Sequence, residues 1–278
     1  MDTALHRQRG GRGIPADVFR GVVPSGRTAG RVSATFRARG VEAVVLDIEG
    51  TTTPLSFVHD VMFPYARAHL DAFVADTANE KVVADVSARL EQERTAEVDT
   101  SAPEWHASTA EERRSSLVSY VAWLMERDRK SPGLKTLQGH IWAEGYRRGA
   151  LRGVVYDDVP PALERWHAAS LTLAIYSSGS VLAQQLIFST TAAGDLTKYF
   201  SHYFDTAVGA KRSSDSYAHI AMALAIAPSR ILFVSDVEEE LAAARLAGLQ
   251  VVLAIRSDQA TPRGTCADQI IRTFADLG

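Results

Sequence analysis

Two carboxylates one residue apart follow a hydrophobic run near the start of the sequence. The run at residues 41–46 leads into Asp47, Glu49 and Gly50, and three threonines come next. Asp47 could attack phosphorus as a nucleophile. Glu49 could act as a general acid or base, or its backbone oxygen could ligate Mg²⁺. For this segment alone, a strand end with a solvated Asp and an ordinary turn is the simpler interpretation.

A second group of acids follows another hydrophobic run, at residues 231–234. Asp236 stands at the end of this run, and Glu240 comes one helical turn later. Residues one turn apart share a helix face, so both carboxylates can point into the same site. Glu238 and Glu239 suit the positive end of a helix dipole, but that explanation does not cover Asp236.

Serines and a lysine lie between these two groups of acids. Ser177 and Ser178 follow the run at residues 171–176, where hydroxyls and free N–H groups at a helix start can hold a phosphate. An ordinary helix cap is the simpler alternative. Lys211 precedes a helix and could neutralise a phosphoryl group, although a single loop lysine is usually a solvated surface residue.

These polar residues need a scaffold that brings them together. Four apolar runs have the composition of buried strands: residues 41–46, 171–176, 231–234 and 251–255. Helical segments are predicted at residues 181–188, 216–225 and 237–247, the last of them ending before Gly248 as a C′ glycine. Alternating strands and helices predict an α/β fold with a parallel sheet. Ligands of such sheets bind at the carboxyl ends of the strands, so we expect the four segments to meet there.

The segment at residues 61–153 interrupts this alternation and has no convincing strand. Its apolar residues fall on helical faces, as in Leu117, Tyr120, Val121, Leu124 and Met125, and in Val82, Val83, Val86 and Leu90. We therefore expect a helical block inserted after the first strand. Such a block could close over the site and exclude water, or it could be a subdomain without a part in the chemistry.

Bulk properties set broad limits. The chain has 278 residues, 46% of them hydrophobic, and a formal net charge of -3. This charge argues against wholesale binding to nucleic acid or an anionic membrane, and no apolar run approaches the ~20 residues of a membrane span. The single cysteine, Cys266, excludes an internal disulfide and fits a reducing cytoplasm. Residues 1–40 are rich in Arg and Gly and are predicted to form a disordered extension; a transit peptide is the alternative.

The order of the polar segments is more specific than any one of them. Asp-x-Glu-Gly-Thr, a strand ending in Ser, a Lys, and a strand ending in Asp-x-x-x-Glu follow one another along the chain. This order resembles the haloacid dehalogenase-like phosphohydrolase superfamily. The resemblance implies a Rossmann-like parallel sheet core at residues 41–61 and 154–278, with an all-helical cap domain at residues 62–153.

A narrower resemblance rests on further segments. Glu49 stands where most members of that superfamily have Asp. Residues 57–65, 142–146, 155–163 and 175–184 are similar to the enolase-phosphatase (acireductone synthase) family of methionine salvage. The similarity covers residues 42–274. It implies a bifunctional enzyme that enolises 2,3-diketo-5-methylthiopentyl-1-phosphate and then hydrolyses the phosphate ester.

The resemblance also implies the roles of individual residues. One Mg²⁺ per subunit would be held by Asp47, Glu49 and Asp236. Asp47, Glu49 and Lys211 would be catalytic, with an aspartyl-phosphate formed on Asp47. Whether Glu49 or a residue of the cap abstracts the carbon-bound proton stays open.

The resemblance implies a small phosphorylated diketone as the partner, with no nucleic acid and no membrane. Ser177, Ser178 and Lys211 would contact this substrate. Trp142 and Tyr146 could line the pocket for its methylthio group, or they could simply pack the core of the cap. The expected protein is a cytoplasmic monomer.

Three other functions are compatible with parts of the pattern. A general Mg²⁺-dependent phosphatase on the same fold would lack the enolase step. A hydrolytic dehalogenase also uses an Asp nucleophile but needs no metal, so the acids Glu49 and Asp236 argue against it. A non-catalytic phosphate-binding protein would require Asp47, Glu49, Lys211 and Asp236 to have lost their catalytic function.

Overall fold

A six-stranded parallel sheet lies at the centre of the computed structural model, which describes Phe36 and residues 39–256 and 264–277. The strands are β1 (Ala43–Leu46), β2 (Thr172–Tyr176), β3 (His202–Phe204), β4 (Ile231–Ser235), β5 (Gln250–Ala254) and β6 (Gln269–Ile271). Their order across the sheet is β3-β2-β1-β4-β5-β6, and every neighbouring pair is parallel. The predicted α/β fold with a parallel sheet is confirmed.

The central strand is apolar on both sides. Successive side chains of a strand point to opposite faces of the sheet. In β1, Val44 and Leu46 join the core on one face, whereas Ala43 and Val45 join the core on the other. All four are fully buried. This pattern is typical of a parallel strand that helices cover on both faces.

A block of helices is inserted between β1 and β2, and residues 57–147 are here named the helical insertion. It consists of a π-helical segment (Phe57–Met62), α1 (Phe63–Ala75), α2 (Glu80–Thr95), α3 (Ala110–Glu126) and α4 (Pro132–Arg147), with a short 3₁₀ turn between α1 and α2. Local sequence explains two of the helix starts. Thr109 and Glu112 form a capping box at α3, and Ser131 caps α4 with Pro132 in its first turn. No strand lies within residues 57–147, all of which the structure describes, as the sequence predicted.

The remaining helices cover the two faces of the sheet. They are α5 (Val159–Ala168), α6 (Val181–Ser189), α7 (Ser214–Leu224) and α8 (Glu238–Leu246). Buried residues of α5 and α6 join the core that contains Val44, and those of α7 and α8 join the core that contains Val45. Gly248 follows α8 with a φ of +90°, as expected of a C′ glycine.

All four predicted strands are present, whereas β3 and β6 were not predicted from the sequence. Each has only three residues and lies at an edge of the sheet. Each also begins with a polar residue, His202 in β3 and Gln269 in β6. Neither therefore carries the continuous apolar run that marks a strand buried on both faces.

Most of the predicted N-terminal extension lies outside the described residues. Of residues 1–40, the structure describes Phe36, Arg39 and Gly40. Phe36 is buried, and its ring meets that of Trp166 edge to face, with 6.1 Å between the ring centroids. Among the helices of the described part, none is long and apolar enough to cross a membrane. The domain boundaries at residues 62 and 153 stay a prediction.

Candidate active site

The two acid-bearing loops emerge from neighbouring strands at the same edge of the sheet. β1 and β4 pair with Leu46 opposite Val234, and the N–H of Asp47 donates to the carbonyl of Val234 at 3.0 Å. The chain runs from β1 outward to β3 and then returns to the other side of β1 as β4. This reversal is the topological switch point at which open α/β sheets bind ligands. Asp47 and Asp236 follow these two strands, so both lie at the switch point.

Asp47 is buried, and contacts on both carboxylate oxygens fix its orientation. Oδ1 accepts from Nζ of Lys211 at 2.6 Å and from the N–H of Ile48 at 2.8 Å. Oδ2 accepts a longer hydrogen bond, 3.3 Å, from the hydroxyl of Ser235. Oδ2 is therefore the more weakly held oxygen.

Lys211 belongs to the site and is not the solvated surface lysine of the simpler interpretation. Its ammonium lies 2.6 Å from Oδ1 of Asp47 and 2.7 Å from Oε2 of Glu240, and its side chain is only 11% exposed. Burial opposes the charge, but the two carboxylates outweigh burial and raise the pKa of Lys211 above its ordinary value. The ammonium is therefore charged at neutral pH and can hold a phosphoryl oxygen.

Two tyrosines fix the loop that carries Lys211. The hydroxyl of Tyr217 donates to the carbonyl of Lys211 at 2.7 Å, and that of Tyr176 donates to the carbonyl of Gly209 at 3.1 Å. Gly209 has a φ of +135°, and a Cβ there would come within 2.2 Å of Oγ of Ser216. Glycine is therefore required for the loop to approach α7 this closely.

Glu240 and Ser235 complete the cluster around Asp47 and Lys211; the sequence predicts that Glu240 faces the site beside Asp236, whereas it assigns nothing to Ser235. The hydroxyl of Ser235 lies between Oε2 of Glu240, at 3.1 Å, and Oδ2 of Asp47, at 3.3 Å. Burial and then the charge of Asp47 raise the pKa of Glu240, which Lys211 opposes. The spacing of Glu240 from Asp236 did signal a shared face. Nothing in the sequence marks Ser235 as a site residue, because it ends a buried apolar strand and belongs to no motif.

Glu49 lies in a tight turn directly after Asp47. Gly50 adopts a φ of +72°, and the hydroxyl of Thr52 donates to the carbonyl of Asp47 at 3.0 Å. Burial and then the charge of Asp47 raise the pKa of Glu49, partly offset by Lys211 and by His59 of the helical insertion. A carboxyl group with a raised pKa suits proton transfer near neutral pH.

Asp236 has the features of a carboxylate suited to hold a cation. Burial and then the charge of Asp47 raise the pKa of Asp236 to about 6. Its Oδ1 is buried without a hydrogen-bond partner. Its Oδ2 faces Gly50, where a Cβ would come within 2.1 Å. A buried, unpaired carboxylate oxygen is costly, and coordination of a cation would remove that cost.

The donor set of the cluster fits Mg²⁺. Four carboxylates, those of Asp47, Glu49, Asp236 and Glu240, lie near enough to affect one another or Lys211 electrostatically. The ammonium of Lys211 alone does not balance their negative charge. Within the described ranges, no three His, Cys, Asp or Glu side chains are grouped closely enough to hold a metal ion by themselves. Mg²⁺ usually takes one or two carboxylates and completes its shell with water and substrate phosphate. For Glu49, the backbone oxygen is then as suitable a ligand as the carboxylate, and the assignment of the three ligands stays a prediction.

The predicted phosphate cradle lies at the end of β2. Ser177 is buried, and its hydroxyl accepts the N–H of Gly179 at 3.2 Å, whereas Ser178 is exposed. The helix cap belongs to Ser180, whose hydroxyl accepts the N–H of Ala183 at 3.2 Å. The capping alternative therefore accounts for Ser180 and not for Ser177 or Ser178. The substrate contacts predicted for these two serines stay a prediction.

The helical insertion reaches the edge of the sheet through α4. A Cβ at Gly139 would lie 3.2 Å from Oγ of Ser180. Nζ of Lys135 pairs with Oδ2 of Asp205, in the loop after β3, at 2.9 Å. The insertion thus contacts two loops that border the charged cluster, in a position to limit the access of water.

Trp142 and Tyr146 pack within the helical insertion. Both side chains are buried. The indole N–H of Trp142 donates to the carbonyl of Met62 at 2.7 Å, and the hydroxyl of Tyr146 lies 4.0 Å from the sulfur of Met62. These contacts account for the two aromatic residues as core, the simpler of the two roles considered.

Comparisons with known proteins agree with the fold. A model of the haloacid dehalogenase-like hydrolases matches residues 41–248. Enolase-phosphatase E1 of Synechococcus elongatus is 48% identical over 222 residues, which cover 80% of this chain and 91% of that protein. A protein of Populus trichocarpa described as a probable bifunctional methylthioribulose-1-phosphate dehydratase/enolase-phosphatase E1 is 47% identical over 241 residues, or 84% of this chain and 46% of that protein.

A solved structure extends the comparison. The UTR4 protein of Saccharomyces cerevisiae superposes with a TM-score of 0.67 at 32% identity, over 84% of this chain and 98% of that one. The chain therefore belongs to the haloacid dehalogenase-like hydrolases and, within them, to the enolase-phosphatase E1 family. The resemblance recognised from the sequence motifs is confirmed.

Proposed function

We propose that the protein is a Mg²⁺-dependent enolase-phosphatase of methionine salvage. It converts 2,3-diketo-5-methylthiopentyl-1-phosphate into 1,2-dihydroxy-3-keto-5-methylthiopentene and phosphate. The observation that carries the proposal is the buried pair of Asp47 and Lys211, 2.6 Å apart at the switch point of the sheet. This pair supplies a nucleophile and a cation where a phosphate ester would dock. The Synechococcus relative, named enolase-phosphatase E1, supports the same pair of activities.

The Populus relative supports the choice of substrate. Its name joins a methylthioribulose-1-phosphate dehydratase to an enolase-phosphatase. Removing water from a methylthioribulose 1-phosphate gives an enol, which tautomerises to a 2,3-diketone that still carries phosphate on C1. This diketone is the compound that an enolase-phosphatase acting after that dehydratase would receive.

The first step is an isomerisation without a change in redox state. A base removes a proton from C1, a C1=C2 double bond forms, and the oxygen on C2 gains a proton. Glu49 is one candidate for the base, because its raised pKa brings it closer to neutral pH. A residue of the helical insertion is the other candidate.

The second step transfers the phosphoryl group to Asp47. A carboxylate oxygen of Asp47 attacks phosphorus, and the bond between phosphorus and the ester oxygen breaks. Glu49 protonates the leaving oxygen and then takes a proton from the water that hydrolyses the aspartyl-phosphate. Lys211 neutralises the phosphoryl oxygens, while Ser177 and Ser178 offer hydroxyl and backbone N–H donors.

One Mg²⁺ fits the same site. Asp47 and Asp236 would hold it together with an oxygen of Glu49. When bound, the ion supplies charge neutralisation for the phosphate and polarisation of the diketone oxygens. We further propose a cytoplasmic, monomeric enzyme with its catalytic core at residues 41–61 and 154–278 and its cap at residues 62–153.

A coupled assay on synthetic diketo phosphate tests the proposal. Ultraviolet absorbance follows the enol while a dye assay follows phosphate, with Mg²⁺ and with EDTA. We expect both signals to require Mg²⁺. Phosphate release from other esters without turnover of the diketone would instead assign a general phosphatase. Haloacid turnover in EDTA would assign a dehalogenase.

An Asp47→Asn variant tests the nucleophile. It keeps the size of the side chain but should lose phosphate release by at least about 10³-fold, because an amide cannot form the aspartyl-phosphate. Asp71→Asn, at an exposed position of α1, is the matched control. Normal phosphate release by Asp47→Asn would exclude the mechanism.

A further inference from the structure

Two linkers join the helical insertion to the sheet, and one arginine contacts both of them. The first linker, residues 51–56, leads from the catalytic loop into the insertion, and the second, residues 151–158, leads back to α5. Nε of Arg256 donates to the carbonyl of Thr51 at 2.7 Å. Nη1 of the same guanidinium donates to Oδ2 of Asp158 at 2.5 Å. Arg256 therefore spans the start of one linker and the end of the other.

The guanidinium is buried, lies close to two aromatic rings, and is hydrogen-bonded through Nε and Nη1. The side chain of Arg256 is 5% exposed. Its Cζ lies 4.7 Å from the ring centroid of Tyr156 and 4.2 Å from that of Phe274. A planar, permanently charged group that packs against two rings and donates two hydrogen bonds to fixed acceptors has little freedom. A shorter or uncharged side chain at position 256 therefore cannot restore these contacts by a small rotation.

The carboxylate of Asp158 also binds a third part of the chain, at residues 273–274. In addition to Arg256, its Oδ2 accepts from the N–H of Phe274 at 2.5 Å and from the hydroxyl of Thr273 at 2.9 Å. The linkers also touch directly, since the N–H of Tyr156 donates to the carbonyl of Thr52 at 3.0 Å. The two linkers and residues 264–277, here named the C-terminal segment, thus meet at one partly buried ion pair.

The contact on Thr51 connects this junction to the catalytic loop. Thr51 directly follows Gly50, whose Cα approaches Asp236 so closely that a Cβ would come within 2.1 Å of Oδ2. The next residue, Thr52, donates to the carbonyl of Asp47. A shift of the Thr51 carbonyl would therefore move the backbone at Gly50 and Thr52, the residues that contact Asp236 on one side and Asp47 on the other. A misplacement of about 1 Å in an active site can cost about 10²-fold in rate.

We propose that Arg256 is a positioning residue that holds the catalytic loop and both linkers of the helical insertion in one arrangement. It contacts neither Asp47 nor Lys211 in the described structure, so it acts through Thr51 and Asp158. This inference rests on the phosphohydrolase site proposed above, whichever phosphate ester it takes. The competing interpretation is that Arg256 only fastens the C-terminal segment.

Steady-state kinetics on Arg256→Gln and Arg256→Lys test the proposal. We expect Arg256→Gln to lower kcat by about 10²-fold with KM changed by less than about threefold, because the loop supports the transition state more than substrate binding. Arg256→Lys keeps the charge but cannot bridge two acceptors as a planar fork, so it should recover only part of kcat. Equal kcat in all three proteins, after correction for the folded fraction, would overturn the proposal.

Arg245→Gln is the matched control. Arg245 also fastens the C-terminal segment to the core, through Asp268 at 2.7 Å and through the carbonyl of Cys266. It makes no contact with either linker in the described structure. We expect its kcat to stay within about twofold of wild type even where the melting temperature falls. If Arg245→Gln loses as much kcat as Arg256→Gln, the loss reports a loose C-terminal segment and the proposal is wrong.

Hydrogen exchange gives a readout that does not depend on activity. In Arg256→Gln we expect faster amide exchange in peptides from both linkers, and unchanged exchange in peptides from α7. In Arg245→Gln both linkers should exchange as in wild type. Faster exchange confined to residues 264–277 in Arg256→Gln would refute the proposal. Should wild type hydrolyse no phosphate ester, the proposed function fails, and this exchange comparison still decides whether Arg256 joins the linkers.

Discussion

Lys211 holds Oδ1 of Asp47 at 2.6 Å, on the same oxygen that accepts the N–H of Ile48. The other oxygen, Oδ2, has a 3.3 Å contact with the hydroxyl of Ser235. The carboxylate is thus anchored through one oxygen and comparatively free at the other. We therefore expect Oδ2 to be the oxygen that attacks phosphorus, with Lys211 fixing the direction of attack.

Replacing Lys211 tests this arrangement. Lys211→Met keeps the length of the side chain but removes the charge, so it leaves the phosphoryl oxygens without their cation. We expect kcat for phosphate release to fall by about 10²–10³-fold. Lys198→Met is a suitable control, because Lys198 is exposed and rests on the ring of Tyr199. A Lys211→Met enzyme within threefold of wild type would mean that Lys211 serves structure alone.

The raised pKa of Asp236 predicts how the stability of the metal-free protein depends on pH. This pKa is about 6 in the folded protein and 3.8 ordinarily, so the folded state binds the proton more tightly than the unfolded state. Stability should therefore rise as pH falls from 7 towards 5. Asp236→Asn removes the buried charge, so in EDTA at pH 7 to 8 it should be more stable than wild type by about 1–2 kcal/mol.

Urea unfolding in EDTA between pH 5 and 8 measures this difference. Added Mg²⁺ should stabilise wild type by mass action and leave Asp236→Asn unchanged. Asp71→Asn, at an exposed position of α1, controls for the loss of a carboxylate. Parallel stability curves for wild type and Asp236→Asn would show that Asp236 does not carry the pH dependence.

The sequence predicts the scaffold of this site better than its contacts. Strand β1 is apolar on both faces, with Val44 and Leu46 on one and Ala43 and Val45 on the other, and this pattern indicates a strand buried on both sides. An acid that directly follows such a strand lies at the edge of the sheet where ligands bind. The local pattern therefore specifies both the strand and the place of Asp47.

The contacts of Lys211 depend on distant parts of the chain. It lies 164 positions from Asp47, and its burial requires β1 beside β4, a clamp from Tyr217 and a glycine at position 209. Gly209 and Tyr217 are close to Lys211 in sequence, but nothing in their residue types shows which contacts they make, and the pairing of β1 with β4 leaves no mark near Lys211. Arg256 is similar, since a single arginine after an apolar strand carries no pattern. Its role depends on the packing of two linkers that are about a hundred residues apart in sequence, as the contact between Tyr156 and Thr52 shows.

Glu49 offers a way to separate side-chain length from acid–base chemistry. Glu is one methylene longer than Asp, so its carboxyl group reaches about 1 Å or more further, a difference that matters for proton transfer. We expect Glu49→Asp to lower enolisation by about 10²-fold. Glu49→Gln keeps the length but removes the proton-transfer group, so it should lower enolisation and phosphate release by about 10²–10⁴-fold.

Ultraviolet absorbance and the dye assay report the two activities of each variant separately. Glu126→Asp, in α3 and paired with Arg67 at the surface, is the matched control. If Glu49→Asp enolises and hydrolyses at wild-type rates, the extra methylene has no part in the choice of substrate.

The ion pair between Lys135 and Asp205 should favour the closed position of the helical insertion. Its 2.9 Å contact joins α4 to the loop after β3, and both side chains are three-quarters buried or more. A pair at the edge of the surface contributes about 1 kcal/mol, which corresponds to about a fivefold change in a closed-to-open ratio. Lys135→Glu should therefore raise KM by about fivefold or more, since it also places like charges together.

A reversed pair identifies the cause of that change. The double variant Lys135→Glu with Asp205→Lys restores opposite charges, so its KM should return to within about twofold of wild type. Each single variant should keep its melting temperature within a few degrees, because α4 still packs closely on Ser180 at Gly139. A double variant with a KM as high as that of Lys135→Glu would show that the residues act separately, and closure of the insertion would then depend on the packing of α4 alone.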